Sequence, residues 1–327
     1  MKFNAIVGNP PYQEMDGGNS VSAKPVYNYF VDIAKSIKPN YFSMIMPARW
    51  YAGGKGLDDF RKSMLNDNRK AALYDYPNSN DCFTNVDIAG GLCYFLWDAH
   101  HAGECSVTNK VNGELSTVER KLKEFEILIR DNKSIEILRQ VIETNKDKPR
   151  LYERVSSSKP FALRTFYEPR NEGIPCWFIQ KIGLKYADAK DVIDSGNYLD
   201  KWKLLLPRSP IAGQTDFTKP VGFYYDGNTK IAKPGECCTE FFIIAGAFET
   251  EEEVLSYKSY IFTKVVRFLL LQNVVSQDVT KKNFGLIPDL GSYKGVYTDK
   301  QLCTLWNIGD EEWKYIDSRI NNIKVGV

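Results

Sequence analysis

The tetrapeptide Asn9-Pro10-Pro11-Tyr12 constrains this chain more than any other feature, because it directly follows a short apolar run. Ala5-Ile6-Val7 predicts a buried strand, and Gly8 ends it. Each proline fixes its own φ and removes a backbone donor, and the residue before each proline is held extended. The sequence therefore predicts a rigid turn at the C-terminal end of a strand, where open α/β sheets bind their ligands.

The polar groups of this turn suit the recognition of a planar amino group. The Asn9 amide oxygen and the Pro10 carbonyl are two acceptors that can hold both hydrogens of such a group and leave its nitrogen lone pair facing outward. Tyr12 offers a flat face on which a base or an amide can stack. A plain rigid turn with a capping Asn9 is the alternative, because Asn-Pro and Pro-Pro are common loop dipeptides.

Asn-Pro-Pro-Tyr after an apolar strand resembles the catalytic motif of amino-methyltransferases that use S-adenosylmethionine. Further segments resemble adenine-specific DNA methyltransferases of restriction–modification systems, of a type IIG-like kind: residues 41–51, 53–57, 86–91, 280–288 and 298–323. The resemblance implies that Asn9, Pro10, Pro11 and Tyr12 are catalytic. It also implies that Tyr12 stacks on a base flipped out of the duplex, with Phe83 as a second wall. Simple core packing is the alternative for Phe83.

Four cations are candidates for contacts with the DNA backbone. Arg49 and Lys55 flank or lie in the glycine-rich segment after the second predicted strand, where backbone could approach a phosphate. Lys281 and Lys282 precede an aromatic residue, Phe284. For Arg49 and Lys55, the alternative is a mobile surface loop. For Lys281 and Lys282, the alternative is a loop that its apolar residues anchor to the second domain.

Composition limits the other classes of function. The net charge of +2 over 327 residues gives no global signature of polyanion binding, although residues 148–219 carry thirteen Lys or Arg against eight Asp or Glu. The seven cysteines and two histidines lack metal-ligand spacing, which predicts reduced thiols, no metal site and a cytoplasmic protein. Neither a signal peptide nor a membrane span is indicated.

Strands and helices alternate in the first part of the chain, which predicts the α/β class. The resemblance to the methyltransferases implies a partial Rossmann-like methyltransferase sheet. Strands are predicted at residues 41–46, 73–76 and 92–97, and a helix at residues 25–37. Four apolar residues at helical spacing form its predicted buried stripe: Val26, Phe30, Ile33 and Ile37.

A hairpin turn is predicted at Asn112-Gly113, followed by helices at residues 119–130 and 134–144. The polar, proline-ending segment before residue 149 predicts a domain boundary. Residues 1–148 are then the C-terminal part of a catalytic domain, and residues 149–327 an α+β target-recognition domain with C-terminal helices, in which residues 257–271 are predicted as one helix.

Enzymes of the resembled family bind S-adenosylmethionine through a glycine-containing turn and a later acidic residue, and no such pattern occurs in residues 1–150. The cofactor-binding segment is therefore expected to be largely absent from this chain. A C-terminal fragment, a separate upstream subunit that completes the sheet, and a degenerate enzyme are three open explanations. We expect the isolated chain to bind the cofactor poorly, and the first strand to be an exposed edge.

The sequence thus predicts a module that methylates the exocyclic amino nitrogen of adenine in double-stranded DNA, without a membrane partner. One alternative is a noncatalytic DNA-recognition subunit with a vestigial motif. Another is a protein methyltransferase that acts on a glutamine amide, because the same turn can hold any planar amide nitrogen.

Overall fold

The computed structural model describes residues 3–15, 23–53, 56–85, 88, 90–111, 113–214, 219–274 and 278–323. The chain divides into two compact units: among the described residues, the first holds those up to Ile135 together with Lys219, and the second holds the others from Glu136 onward. This division falls inside the helix Ser134–Thr144. The functional boundary at residue 148 stays a prediction.

The first unit and the helix that leaves it contain eight strands and three helices among the described residues. They are β1 Ala5–Gly8, β2 Gln13–Met15, β3 Ala23–Pro25, α1 Tyr27–Ile37, β4 Tyr41–Pro47, α2 Asp58–Asn66, β5 Lys70–Tyr76, β6 Leu92–Asp98, β7 Cys105–Val111, β8 Glu114–Arg120 and α3 Ser134–Thr144. Short 3-10 turns lie at Ala48–Tyr51, Ser79–Asp81 and Leu122–Glu124.

Six of these strands form one sheet in the order β1-β4-β6-β5-β7-β8. β1 is parallel to β4 and β5 is parallel to β7, whereas β6 is antiparallel to both β4 and β5. The strands β1, β4, β5 and β7 therefore run in one direction, and their C-terminal ends share one edge of the sheet. The predicted α/β class is confirmed.

The predicted buried stripe of helix α1 is wrong. The helix buries Tyr27, Val31 and Ala34, whereas Phe30 and Ile33 are exposed. Helix α1 is apolar on two faces, so helical spacing alone did not decide which face meets the sheet. The strand β1 is at the sheet edge, as expected, but the predicted burial of this strand is wrong: Ala5 and Val7 are exposed because no described segment covers the edge.

The helix predicted at residues 119–130 is also wrong. Strand β8 continues to Arg120, and a 3-10 turn at Leu122–Glu124 leads into chain without helix. Ile127, Leu128 and Ile129 are all buried. Three consecutive buried residues do not fit the one-sided burial of a surface helix, and they are typical of an extended segment that crosses a core.

The second unit mixes short strands and helices. Its elements are β9 Ile174–Trp177, β10 Leu184–Ala187, β11 Trp202–Pro207, β12 Lys230–Ala232, β13 Cys237–Cys238, β14 Phe242–Phe248, α4 Glu251–Phe262, α5 Lys264–Gln272, α6 Asp299–Leu305 and α7 Asp310–Arg319. The strands form two three-stranded sheets, β10-β9-β13 and β12-β11-β14. The single helix predicted at residues 257–271 is split, because the Thr263 side chain accepts from the Val266 amide and starts α5.

Candidate active site

The turn at residues 9–12 lies where the C-terminal end of β1 meets the edge of the sheet. Gly8, the last residue of β1, is in register with Met44 of β4. Asn9 is exposed, Pro10 is buried and Tyr12 is half-buried. Within the part of the chain that the structure describes, nothing hydrogen-bonds the Asn9 amide. This amide therefore remains available to a ligand.

The turn is fixed at both of its ends. On one side β1 pairs with β4, and on the other the Tyr12 carbonyl accepts a hydrogen bond from the Val26 amide at 3.2 Å. Strands β2 and β3 continue this contact as a small antiparallel pair that leads directly into α1. Proline geometry and these backbone bonds together fix the backbone of the turn that carries Asn9, so that positioning the turn costs little when a ligand binds.

Several buried polar atoms around this turn have no hydrogen-bond partner among the described residues. They are the Tyr12 and Tyr27 hydroxyls, the Asn28 amide oxygen and the Arg49 Nε. They come from the turn, from the start of α1 and from the segment after β4. Buried polar groups without partners are uncommon and costly. Their concentration at the C-terminal edge of the parallel strands indicates a ligand-binding region.

The Tyr12 ring is partly removed from water. Burial raises the pKa of the Tyr12 hydroxyl, and the thiols of Cys82 and Cys93 raise it further. The hydroxyl is therefore protonated at neutral pH and does not act as a base.

Phe83 is half-buried and is held by a hydrogen bond from its amide to the Ser79 carbonyl at 2.9 Å. Among the described residues, the Phe83 ring makes no aromatic contact with the Tyr12 ring. The role of Phe83 as a second wall for a base stays a prediction.

The structure distributes the four predicted DNA-binding cations over separate places. Arg49 is half-buried in the 3-10 turn after β4. Burial and Cys93 raise the pKa of the Tyr27 hydroxyl, and the positive charge of Arg49 opposes this rise. Lys55 lies outside the described residues. Lys281 and Lys282 are exposed in the 3-10 turn Lys281–Leu286, whose Phe284 is buried. All four contacts with DNA stay predictions.

A buried ion pair supports the same edge of the sheet. Asp75 of β5 accepts two hydrogen bonds from Arg130, at 2.7 and 2.8 Å, and one from the Tyr51 hydroxyl at 3.1 Å. Arg130 also donates to the Gly90 carbonyl at 2.5 Å. Burial alone would lower the pKa of Arg130, but the Asp75 charge raises it above its usual range.

The ion pair of Asp75 and Arg130 explains why a glycine is present at residue 91. Gly91 has φ +74°, and a Cβ there would lie 2.1 Å from the Tyr76 carbonyl oxygen and 2.8 Å from Arg130 Nη2. A side chain would therefore displace the start of β6 and break the contact with Arg130. The glycine is required by packing beside the site.

The described residues do not form a complete binding site for S-adenosylmethionine. The exposed Asn9 amide lies at the C-terminal end of β1, and its role in holding an amino group stays a prediction. Beside it, β1 exposes Ala5 and Val7 at the sheet edge, where no described segment adds a glycine-rich cradle. The described residues of this edge therefore do not fit the cofactor.

Known proteins are similar to this region of the chain. Residues 1–83 match the model of the Eco57I restriction-modification methylase family. The chain is also 33% identical over 122 residues to an uncharacterized adenine-specific methylase of Mycoplasma pneumoniae, which covers 36% of this chain and 29% of that protein. The predicted resemblance is confirmed as a similarity: the matched part of the chain is similar to restriction-modification and adenine-specific methylases. The chain spans less than a third of the length of that relative.

Two solved structures are similar at 12% sequence identity. One is the methyltransferase subunit of a type I restriction-modification system from Streptococcus thermophilus, with a TM-score of 0.26 over 38% of this chain and 30% of that chain. The other is the type IIG restriction endonuclease BpuSI, with a TM-score of 0.36 over 93% of this chain and 48% of that chain.

Tyr27 and Asn28 are candidate site residues that the sequence did not indicate. Tyr27 is fully buried and Asn28 half-buried, and each carries a polar atom without a partner among the described residues. The spatial contact of Val26 with Tyr12 brings them to the turn. Polar residues are common at the start of an amphipathic helix, so the sequence near Tyr27 and Asn28 does not indicate that they lie beside the turn at residues 9–12.

No helix in the described ranges is long and apolar enough to cross a membrane. The same ranges contain no group of three or more His, Cys, Asp or Glu side chains placed to hold a metal ion.

Replacement of Tyr12 separates stacking from structure. We expect Tyr12→Ala to weaken the binding of an extrahelical base by about 1–3 kcal/mol, the usual contribution of stacking on an aromatic ring. Tyr12→Phe should retain base binding, because the hydroxyl makes no hydrogen bond to the described residues. The fluorescence of 2-aminopurine at the target position of a duplex measures base extrusion. Equal loss in both variants would contradict a stacking role.

Proposed function

We propose that this chain carries the amino-group-binding turn of a site-specific DNA adenine N6-methyltransferase of a restriction–modification system. The exposed Asn9 amide, at the C-terminal end of a parallel strand and beside the half-buried Tyr12, is the observation that carries the proposal. The match of this region to adenine-specific methylases supports DNA adenine as the substrate. Such a substrate implies a cytoplasmic location.

Base extrusion is the first requirement of the proposed reaction, because duplex DNA keeps the amino group of adenine inside the base stack. The Tyr12 ring would then stack on the extruded base. The Asn9 Oδ1 and the Pro10 carbonyl would accept both amino hydrogens and so favour a nitrogen whose lone pair is directed away from the ring.

S-adenosylmethionine supplies an electrophilic methyl group on a sulfonium when it is bound. The residues of this chain would orient the accepting nitrogen. They provide no general base at the turn, since the pKa of Tyr12 is raised. The proton of the methylated amino group is released to water after transfer, so that a neutral secondary amine remains.

The proposed partner is double-stranded DNA. An upstream subunit that covers the exposed edge of β1 and holds the cofactor stays a prediction. The exposure of Val7 in β1 and of Ile33 in α1 supports such a subunit, because both faces of a sheet with parallel strands are usually covered by other parts of a protein. Native mass spectrometry of the assembly from its own cells tests whether a second polypeptide is present.

Methyl transfer tests the function directly. The native assembly is incubated with labelled S-adenosylmethionine and either unmethylated genomic DNA or cell protein, and the products are digested and analysed by mass spectrometry. We expect N6-methyladenine in DNA. Label in glutamine of protein, or specific DNA binding without any transfer, would contradict the proposal.

Backbone contacts of Lys281 and Lys282 are testable by salt dependence. We expect Lys281→Ala with Lys282→Ala to lower the slope of log affinity against log salt by about one to two, since each phosphate contact contributes about 0.9. Affinity should fall to a similar degree for every DNA sequence. Lys294→Ala and Lys300→Ala, which change exposed lysines of the same unit, are the controls. An unchanged slope would exclude these contacts.

A further inference from the structure

A cavity of about 330 Å³ lies at the end of the first unit's sheet that is opposite to Asn9. It opens between the first residues of β5 and β7, Lys70 and Cys105, and the last residue of β8, Arg120. β5 and β7 run in the same direction as β1, so these residues are about one strand length, roughly 20 Å, from the turn at residues 9–12. The cavity is therefore separate from the proposed methyl-transfer site.

The lining of the cavity is cationic. The charged side chains are those of Lys70, Arg120, Lys121 and Lys123, against Asp67 and Glu104. The Asp67 carboxylate is already shared by Lys35 at 3.1 Å and Arg69 at 2.8 Å, and the Trp97 indole also donates to it. Its charge is thus neutralised from outside the cavity, and Lys70, Lys121 and Lys123 outnumber Glu104 in the lining.

Lys70 is the most informative residue of this lining. Its side chain is 1% exposed, and its ammonium makes one hydrogen bond among the described residues, to the Asp67 carbonyl at 2.8 Å. An ammonium has three donors, and a buried one requires acceptors for them. Burial lowers the pKa of Lys70 to about 7, more than the Asp67 charge offsets.

Another buried lysine of this chain shows how such a group is satisfied when it is structural. The Lys203 ammonium, which is fully buried in the second unit, donates to three backbone carbonyls, those of Leu199, Lys201 and Lys233. Lys70 has one such acceptor and a cavity in place of the other two. Lys70 lines a cavity that is large enough for a ligand able to supply these acceptors.

We propose that this cavity is a binding site for a small phosphate-bearing molecule, with Lys70 and Arg120 as its buried cations. A tetrahedral oxyanion supplies the acceptors that the Lys70 ammonium lacks. Lys121 and Lys123, which are exposed on the segment after β8, supply further positive charge at the opening. The cavity of about 330 Å³ is larger than a bare phosphate requires, because one water molecule occupies only about 30 Å³ in the liquid. It therefore also has room for a small organic group. The proposal does not depend on methyl transfer.

Sulfate is the probe for the first experiment, because its charge does not change between pH 6 and pH 8. The full chain is titrated with sodium sulfate by calorimetry at constant ionic strength. We expect saturable binding on the order of 1 mM. Lys70→Met should weaken it at least tenfold, and Lys123→Glu, an exposed change that leaves the core intact, severalfold. Lys62→Met, an exposed lysine of α2, is the matched control. Absence of saturable binding, or equal affinity in Lys70→Met, would overturn the site.

The dependence on pH separates ligand binding from a structural role of Lys70. Sulfate affinity should fall about tenfold from pH 6 to pH 8 as the fraction of protonated Lys70 falls, and Lys70→Met should lose this dependence. The other charged or titratable groups near Lys70 or the cavity are Lys35, Asp67, Arg69, His101, Glu104, Cys105, Arg120, Lys121 and Lys123. Burial raises the pKa of Cys105 to about 12, so the Cys105 thiol stays neutral.

The titration is repeated in His101→Gln, because histidines in general change charge in this range. Loss of the pH dependence in His101→Gln would overturn the assignment to Lys70.

The source of the phosphate is distinguished by two further ligands. Glycerol 3-phosphate should bind more tightly than sulfate, because the cavity has room for its carbon chain. A duplex DNA that binds the protein should leave sulfate affinity unchanged. Competition between duplex and sulfate would show instead that the cavity takes a backbone phosphate of DNA, and would contradict a small-molecule site.

Discussion

Asn9→Ala is expected to lower the rate of methyl transfer to DNA by about 10²–10³-fold, with DNA affinity changed by less than about threefold. The size follows from the loss of one preorganised hydrogen-bonding group at the reacting atom. Affinity is retained because Asn9 contacts one extruded base, whereas binding of DNA rests mainly on its backbone. Both quantities are measured on the native assembly, with the recognition sequence first identified by sequencing of methylated DNA.

Two further variants make this prediction specific. Asn9→Asp keeps an acceptor at the same position, so it should retain more activity than Asn9→Ala if acceptance of the amino hydrogens is the function of the side chain. Asn66→Ala changes an exposed asparagine at the end of α2 and should have no effect. Full activity of Asn9→Ala would contradict the proposed role of the turn. Equal loss in the Ala and Asp variants would assign Asn9 a structural role only.

Arg130→Met is expected to lower the free energy of unfolding by about 3–5 kcal/mol, because it leaves the Asp75 carboxylate buried without its cation. Asp75 is 1% exposed, and its remaining partners are neutral: the Tyr51 hydroxyl and the Asn109 amide. Urea denaturation measures the change. Arg139→Met, which breaks an exposed pair with Glu136 in α3, should cost less than about 0.5 kcal/mol and is the matched control.

A double variant separates the buried charge from the loss of packing. Asp75→Asn combined with Arg130→Met removes both charges, so it should be more stable than Arg130→Met alone, although the contact with the Gly90 carbonyl is lost in both. A double variant as unstable as the single variant would show that packing of the arginine, and not its charge, supports this edge.

The turn at residues 9–12 could be predicted because its geometry is covalent and local. Two prolines and a preceding short strand determine where Asn9 and Tyr12 lie relative to the sheet, whatever the rest of the chain does. The strands β4, β5 and β6 were likewise predictable from short apolar or alternating runs. The capping box that starts α6 is an equally local feature, because its Thr298 and Gln301 side chains act within one helical turn.

Features that depend on tertiary contacts were not predictable. The stripe of Phe30 and Ile33 satisfies helical periodicity as well as the buried face of α1 does, and contact with the sheet alone distinguishes the two. Asp75 and Arg130 are 55 residues apart, and their pairing has no local signal.

The same limit applies to the polar atoms near the turn and to the cavity at the other end of the sheet. Tyr27 and Asn28 become candidates because the backbone joins Val26 to Tyr12. Lys70 begins a strand at a position where lysines are usually solvated, and its burial follows from the packing of α2 and the segment after β8 around it. Burial and unsatisfied hydrogen-bonding capacity are properties of the folded chain.

The structure of the assembled enzyme with a duplex that contains its recognition sequence tests the central claim most directly. We predict an adenine outside the helix, stacked on the Tyr12 ring, with its amino nitrogen within about 3.2 Å of both Asn9 Oδ1 and the Pro10 carbonyl oxygen. An adenine that remains paired in the duplex, or one that is extruded into another part of the protein while Asn9 faces solvent, would contradict the account.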